Sequence, residues 1–377
     1  MRPGVNVYGY VHAESGVGEH TRLLVASVRE AGIDYSVVPF RSTFSRQESE
    51  FADFGAKAPH FDVNIIGVNA DQMDHFVEVF GRASLDGRYN IALWAWEIED
   101  FPGWMAKSAR WVDEIWANSS FSAAAIASKV GVPVYPFPLP IRTPKAPVRS
   151  RHELGLPESF LFLFCFDFDS VFERKNPLAV VEAFLSAFPD EPGVHLLIKS
   201  INGDRHRDDM SRLEASVASR RAITFRDGYV ASETQGSLMA SCDAYVSLHR
   251  SEGFGLTMAE AMTLGKPVIA TGYSGNLDFM NSNNSFLVPF EMVPVGPGND
   301  PYPERAVWAS PDVAAAASLM RRVVTYREDV ARKVESACSE IARLHSPSVR
   351  SRFVLERLEA LRSKRHVRRP EGSSTPA

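Results

Sequence analysis

Residues 251–262 carry the arrangement best suited to chemistry. They read Ser-Glu-Gly-Phe-Gly-Leu-Thr-Met-Ala-Glu-Ala-Met, a glycine-rich turn that runs into a predicted helix. Such a turn exposes backbone N–H groups at the positive end of the helix dipole, where proteins bind phosphate. Glu252 lies in the turn and Glu260 lies about one turn inside the helix. Because carboxylates accept hydrogen bonds from paired hydroxyls, the segment predicts a ligand that has both phosphate and sugar groups.

Two adjacent cations form the second candidate feature. Arg174 and Lys175 stand between a predicted strand and a predicted helix. In that place they could oppose the negative charge that grows on a departing diphosphate. The neighbouring Glu173 leaves a second interpretation open, in which all three residues form a solvated charge cluster at a helix start.

The first strand is followed by a loop with two glycines. Gly16 and Gly18 would let this loop approach a ligand closely, and His12 and Glu14 precede them. Thr21 occupies the third glycine position of the dinucleotide-binding fingerprint, so a nicotinamide enzyme is only weakly indicated. A plain strand-to-helix turn is the alternative interpretation.

Three further segments could contact a sugar or a base. Trp96 and Glu97 end a predicted strand, where an aromatic ring could pack on the apolar face of a sugar and a carboxylate could bind its hydroxyls, although the tryptophan could equally belong to the core. Tyr229 follows another strand and could pack against a base. His249 precedes the glycine-rich turn, but a lone histidine is more often structural.

The order E-G-F-G-L-T-M-A-E-A-M-T-L-G-K-P-V-I-A, with seven residues between its two glutamates, resembles the retaining glycosyltransferases of family 4. The resemblance implies the GT-B fold, in which two Rossmann-like domains face each other across a cleft. It implies that Glu252 contacts the donor sugar and Glu260 the ribose. Gly16, Gly18, Tyr229, Gly253, Phe254, Gly255, Leu256, Thr257 and Glu260 would bind the donor.

The same resemblance implies a catalytic set and a group of acceptor candidates. Glu252, Arg174 and Lys175 form the first, and His12, Glu14, Trp96, Glu97 and His249 form the second. The sequence departs from the family twice, because Ser170 stands where many members have an arginine and Trp96-Glu97 stands where many have a histidine. Lys175 is therefore the better supported of the two cations.

The substrates follow from general similarity alone. The donor is expected to be GDP- or UDP-linked, with GDP-mannose the first choice, and the acceptor a glycan or a lipid-linked sugar. A sugar-nucleotide 2-epimerase of the same fold and a non-catalytic sugar-nucleotide binding protein stay open as alternatives.

The elements that position these residues alternate between strand and helix, which predicts an α/β fold with two doubly wound parallel sheets. The proline-rich residues 132–147 predict a stiff connector between them. The expected divisions are an acceptor-side domain (1–145), a donor domain (146–345), a helix (346–365) and a disordered basic tail (366–377). The predicted strands cover residues 5–11, 35–39, 61–68, 90–96 and 114–117, then 160–166, 195–198, 223–225, 244–247 and 268–270.

Composition narrows the class of protein. The 377 residues carry a net charge of -5, which disfavours a nucleic-acid-binding protein. The three cysteines have no metal-ligand spacing, and the Asp167–Asp169 pair ends a strand, so no metal and no other cofactor is expected. With no signal-peptide pattern and no long apolar run, a cytoplasmic protein is expected. The basic tail allows peripheral contact with an anionic membrane, the alternative being a solvated end.

Overall fold

The computed structural model describes residues 4–137, 139–189 and 192–367, with side chains up to residue 363. Its first sheet has six parallel strands in the order β2-β1-β3-β4-β5-β6. Valines and isoleucines on both faces of this sheet are buried, as expected where helices cover a sheet from both sides. The strands are β1 (Gly4–Gly9), β2 (Asp34–Pro39), β3 (Val63–Gly67), β4 (Tyr89–Trp94), β5 (Glu114–Ala117) and β6 (Val134–Pro136).

The helices of this half connect the strands. Helix α1 begins after Ser15, whose hydroxyl caps it by accepting from the N–H of Gly18 at 3.3 Å. Helix α4 packs on β5 and β6. The helices are α1 (Gly16–Glu30), α2 (Met73–Phe80), α3 (Gly103–Ala106) and α4 (Ser120–Ala127).

The second sheet repeats the architecture with the order β12-β11-β10-β7-β8-β9, again parallel. Its central strand β7 is almost wholly apolar, as expected for a strand buried on both faces. The strands are β7 (Phe160–Asp167), β8 (Val194–Ile201), β9 (Ile223–Asp227), β10 (Ala244–Ser247), β11 (Val268–Thr271) and β12 (Phe286–Val288). The helices are α5 (Phe172–Lys175), α6 (Pro177–Ala187), α7 (Arg207–Val217), α8 (Ser232–Ser241), α9 (Leu256–Thr263), α10 (Val313–Thr325) and α11 (Arg327–His345).

All ten predicted strands overlap strands of the structure, and the α/β prediction with two parallel sheets is confirmed. The proline-rich segment is a partial exception, because Val134–Pro136 forms β6 and pairs with β5. Prolines are tolerated there because β6 is an edge strand, whose outer N–H groups need no partner.

A β-hairpin follows the second sheet and was not predicted. Its strands β13 (Phe290–Pro294) and β14 (Val307–Pro311) pair in antiparallel fashion. We call residues 290–311 the arm. Val295, Tyr302 and Trp308 of the arm are buried in the core cluster of the first sheet, so the arm joins the two halves.

The last helix, α12 (Pro347–Val367), returns to the first sheet and packs on α1. Val354 and Leu358 of α12 join the buried cluster beneath α1, and Arg357 pairs with the fully buried Glu114. Residues 368–377 of the predicted basic tail lie outside the described residues. In the part of the chain that is described, no helix combines the length and the apolar character needed to cross a membrane.

Candidate active site

The cleft lies where the carboxyl ends of the two parallel sheets meet. Ser251 follows β10, and its hydroxyl donates to the carbonyl of Glu97, which follows β4. The Ser122 hydroxyl of α4 lies 3.3 Å from the carbonyl oxygen of Gly253. These contacts bring the glycine-rich turn directly against the first domain, as expected for a ligand site beyond the strands' carboxyl ends.

Glu252 lies at the centre of this contact and is 9% exposed. Its Oε1 accepts from the Lys175 ammonium, and its Oε2 lies 3.4 Å from Arg174 Nη1. Burial alone would raise the pKa of Glu252, but Lys175 and Arg174 outweigh it and lower the pKa to about 2. The carboxylate is therefore ionised at any physiological pH and held between two cations.

The two cations come from the short helix α5. Val171 precedes the helix with φ of +64°, a conformation that costs energy for a β-branched residue and that recurs at functional sites. Arg174 is 4% exposed and donates to the carbonyl of Ser251 at 2.9 Å. Burial lowers the pKa of Lys175, whereas Glu252 opposes that change. The structure thus places the two predicted cations beside the glycine-rich turn.

Glu260 occupies a different environment in helix α9. Its side chain is only part-buried, and among the described residues it makes no hydrogen bond and no ion pair. Burial, and then the negative charge of Glu19 in α1, raise its pKa to about 8. A carboxyl group that faces the opposite domain with no partner is available to hydroxyl groups of a ligand.

The glycine-rich turn needs its glycines for two reasons. Gly255 has φ of +89°, a left-handed conformation that favours glycine, immediately before α9. A Cβ on Gly253 would lie 3.0 Å from Asn118 Nδ2 and 3.2 Å from the Trp96 carbonyl oxygen, so the close approach of the domains requires glycine there. Leu256 and Thr257 then form the first turn of α9, whose N–H groups lack partners within the helix.

Other donor candidates are distributed over the cleft. The Phe254 side chain is buried against Phe279, so only its backbone can serve a ligand. Gly16 opens α1 with free space around it, whereas a Cβ on Gly18 would lie 2.3 Å from the Ala13 carbonyl oxygen.

Tyr229, Arg46 and Glu14 form a chain across the cleft. Arg46, in the loop after β2, pairs with Glu14 and places its guanidinium 4.3 Å from the ring centre of Tyr229. The Tyr229 hydroxyl donates to Asn202 at 2.9 Å. His12 packs beside the same loop, with Nδ1 3.2 Å from the Ser49 carbonyl oxygen. Glu14 is thus committed to Arg46 in this structure rather than free for an acceptor.

Two acceptor candidates, Trp96 and His249, lie in the interior, so the structure favours the core and structural roles that were left open for them over contact with a sugar. Trp96 is 3% exposed, with its ring against Tyr302 and Phe101, so no face is free for a sugar. His249 is fully buried, with Nδ1 3.1 Å from Ser247 Oγ. Burial lowers its pKa to about 4, which keeps the imidazole neutral.

Glu97, another acceptor candidate, lies in the cleft near the two cations. Its carboxylate accepts from the Tyr302 hydroxyl at 3.0 Å and lies within electrostatic reach of Arg174 and Lys175. Nothing in the sequence indicates a role for Tyr302 or Arg46, because Tyr302 lies in a proline-rich loop and Arg46 in a polar one, with no motif around either. Only the folded contacts reveal them.

The aspartates of the D-x-D pair have protein partners. Asp167 accepts from Asn202 at 2.7 Å, and Asp169 pairs with Arg205 and His206. Across residues 4–137, 139–189 and 192–367 there is no group of three or more histidine, cysteine or acidic side chains arranged to hold a metal ion.

Comparison with known proteins gives a family match for the central part of the chain. Residues 169–293, which contain the cations, Glu252 and Glu260, match the family described as glycosyl transferases group 1. The match begins just after β7 and ends inside the arm. It therefore covers the cation-bearing turn and the glycine-rich turn together.

Similar solved structures cover almost the whole chain. HepE of Anabaena, in complex with UDP and glucose, superposes with a TM-score of 0.69 at 16% identity over 95% of this chain and 100% of that one. A glycosyltransferase of Rickettsia africae ESF-5 gives 0.69 at 14% identity, with 96% and 99% covered. Sucrose-phosphate synthase of Thermosynechococcus elongatus gives 0.67 at 12% identity, with 96% and 100% covered.

At these identities the superpositions establish the fold, which is GT-B, while the family match establishes the kind of enzyme. The chain is a glycosyltransferase with the GT-B fold, and its residues 169–293 match the model of the group 1 glycosyltransferases.

Proposed function

We propose that this enzyme transfers a hexosyl unit from a nucleotide-sugar to a hydroxyl of a glycan or glycolipid, with retention of the anomeric configuration. The observation that supports this most is the placement of Glu252 between Lys175 and Arg174 at the entrance to α9. It puts a permanent negative charge for sugar hydroxyls next to two positive charges for phosphate.

The chemistry of the leaving group explains the cations. As the glycosidic bond breaks, negative charge accumulates on the nucleoside diphosphate, and Arg174 and Lys175 lower the energy of that charge. The N–H groups that begin α9 add the positive end of the helix dipole. Because both contributions are fixed by the fold, little reorganisation is needed during the reaction.

The two glutamates would bind the two sugars of the donor. Glu252 can accept hydrogen bonds from the transferred sugar, since a carboxylate has about four acceptor positions and the cations use only part of them. Glu260 faces the cleft without a partner and suits the ribose hydroxyls. We expect Tyr229, which has the Arg46 guanidinium over its ring, to contact the base.

Two donors are worth testing first. GDP-mannose is the prediction from the sequence. UDP-glucose has support of another kind, because HepE was solved with UDP-glucose, and TarM of S. aureus and the pneumococcal O-GlcNAc transferase GtfA were solved with UDP. Neither donor is favoured by a base-specific contact among the described residues.

Retention fits a front-side reaction, in which the acceptor hydroxyl attacks as the diphosphate departs and the leaving phosphate takes the acceptor proton. This scheme requires no protein nucleophile beneath the sugar. It also gives Lys175 and Arg174 the main electrostatic role, and it needs no obligate metal. We accordingly expect an enzyme treated with EDTA to keep its activity.

The test begins with thermal shift of the purified protein against UDP, GDP, ADP and TDP, since a ligand that binds only the folded state raises the melting temperature. UDP-glucose and GDP-mannose are then incubated with the enzyme, nucleoside diphosphate release is measured, and NMR of the product gives the anomeric configuration. Conversion of UDP-N-acetylglucosamine without an acceptor would instead identify the 2-epimerase.

Glu252→Gln is the decisive variant because it removes the charge but keeps the shape. We expect turnover to fall at least about 100-fold, the scale on which fixed transition-state contacts act. Glu173→Gln, one position before Arg174, removes a carboxylate that pairs with Arg212 at 2.9 Å and lies 3.9 Å from Arg250; it is the matched control and should stay within about twofold. Binding of a nucleotide without any turnover would favour the non-catalytic binding protein.

A further inference from the structure

The arm carries one aromatic residue to the reaction centre from outside both sheets. Residues 290–311 begin and end in the second domain, and the N–H of Ala309 donates to the carbonyl of Arg250 at 2.9 Å. Arg250 immediately precedes Ser251 of the glycine-rich turn. The loop between the two strands then crosses to the first domain, where Tyr302 becomes 6% exposed.

Tyr302 is held on two sides of its ring. Its centroid lies 5.3 Å from that of Trp96 and 6.2 Å from that of Trp308. Its N–H donates to the carbonyl of Asn299 at 3.0 Å, which closes the turn that presents the side chain. The ring is therefore anchored by packing, independently of its hydroxyl.

The hydroxyl makes a contact of a different kind. It donates to Oε2 of Glu97 at 3.0 Å and lies within electrostatic reach of Arg174 and Glu252. Within the described part of the chain, no second donor is found on the Glu97 carboxylate. Tyr302 thus belongs to the second domain, Glu97 to the first, and their hydrogen bond spans the cleft beside the cations.

This bond has a consequence for charge. A free carboxylate near Arg174 would turn towards the guanidinium and weaken the positive charge available to a diphosphate. A hydroxyl that holds one carboxylate oxygen restrains that movement. The other acceptor positions of Glu97 stay available for sugar hydroxyls.

We propose that Tyr302 is a positioning residue, which fixes Glu97 so that this carboxylate meets sugar hydroxyls at the reaction centre without neutralising Arg174. The proposal rests on the function proposed above. It assigns a catalytic purpose to the arm, which supplies through Tyr302 a group that neither sheet provides.

The test compares Tyr302→Phe with the wild type in the release of UDP from UDP-glucose, or of GDP from GDP-mannose if that donor is preferred. Phenylalanine keeps the packing against Trp96 and Trp308 and removes only the hydroxyl. We expect turnover to fall about tenfold or more, the effect of losing a hydrogen bond to a charged group. The Kd for the free nucleotide should stay within about twofold, and the melting temperature close to that of the wild type.

Two further variants make the result specific. Tyr89→Phe removes a hydroxyl that also donates to a carboxylate at 3.0 Å, that of Glu114, but far from the cleft, and should leave turnover unchanged. Glu97→Gln should cause a loss like that of Tyr302→Phe. The double variant should be no slower than the slower single variant, because both remove the same unit.

The outcomes separate this proposal from the one on which it rests. A wild type that binds no nucleotide and releases none would overturn both. If the wild type is active and Tyr302→Phe is equally active, only the role proposed for Tyr302 is overturned, and the proposed function stands. If the fold-losses of the two single variants multiplied in the double variant, Tyr302 would merely clamp the domains together. The same conclusion would follow if the nucleotide Kd of Tyr302→Phe rose as much as its turnover fell.

Discussion

The unpaired Glu260 leads to a prediction in which function and stability oppose each other. Its pKa is raised from 4.5 to about 8 because the carboxylate is buried and faces Glu19. At pH 7 the folded protein then keeps this carboxyl mostly protonated whereas the unfolded chain ionises it, and the difference lowers the stability by up to about 3 kcal/mol. Since the side chain keeps some contact with solvent, we expect about 1–2 kcal/mol in practice.

Glu260→Gln should therefore make the protein more stable. An acid whose folded pKa lies above its unfolded value loses stability as the pH rises from the unfolded pKa to the folded one. The gain from Gln should be small at pH 5, grow through pH 7, and become constant above about pH 8. The same substitution should weaken UDP binding about tenfold, if the carboxylate holds the ribose.

Urea unfolding at pH 5, 7 and 8.5 measures the first effect, and calorimetric titration with UDP or GDP measures the second. Glu114→Gln is the matched control, because Glu114 is fully buried but accepts from Arg357 Nε and from Trp116 Nε1, each at 2.7 Å. That change should destabilise the protein by about 3–5 kcal/mol. A stability gap for Glu260→Gln that does not widen between pH 5 and 8.5 would refute the argument from the buried charge.

Three other expectations can be checked with the same preparations. The pKa of His249 is lowered to about 4, so the folded protein loses stability as the pH falls from 6.5 towards 4. In urea unfolding, the free energy of unfolding of the wild type should therefore lose about 2 kcal/mol of its advantage over His249→Gln between pH 7.5 and 5. Leu23→Ala in α1 should cost about 2–4 kcal/mol in urea unfolding, because Leu23 is 2% exposed and lies in the cluster of Phe254. Turnover should persist in excess EDTA, and complete loss with recovery on adding Mg²⁺ would contradict the metal-free mechanism.

The fold was largely predictable because its signals are local. Each parallel strand is a short apolar run followed by a turn and a helix, and buried strands such as β7 need nothing else to be recognised. The exceptions, β6 and the arm, lie where prolines and glycines are dense. Such residues indicate loops, yet the edge of a sheet and an antiparallel hairpin both tolerate them.

The site was predictable only where its residues lie together in one short stretch of the sequence. The glycine-rich turn indicated Glu252, and the segment between β7 and α6 indicated Lys175 and Arg174. Trp96 shows the limit, since its position at a strand end suits a sugar platform and a core residue equally well. Tyr302, which follows it by more than 200 positions in the chain, packs on the Trp96 ring and decides the matter.

The two glutamates show most clearly why spacing alone could not assign the chemistry. They have seven residues between them in one turn and helix, yet their pKa values move in opposite directions because the charges around them differ. Glu252 is surrounded by two cations that hold its pKa near 2, whereas Glu260 has no cation and faces Glu19, so that its pKa rises to about 8. Pairs of carboxyl groups whose environments separate their pKa values in this way characteristically perform different tasks. Because Arg174 and Lys175 come from α5 of the same domain and Glu19 from α1 of the other, the difference between the two glutamates depends on how the chain folds around the motif and not on the motif alone.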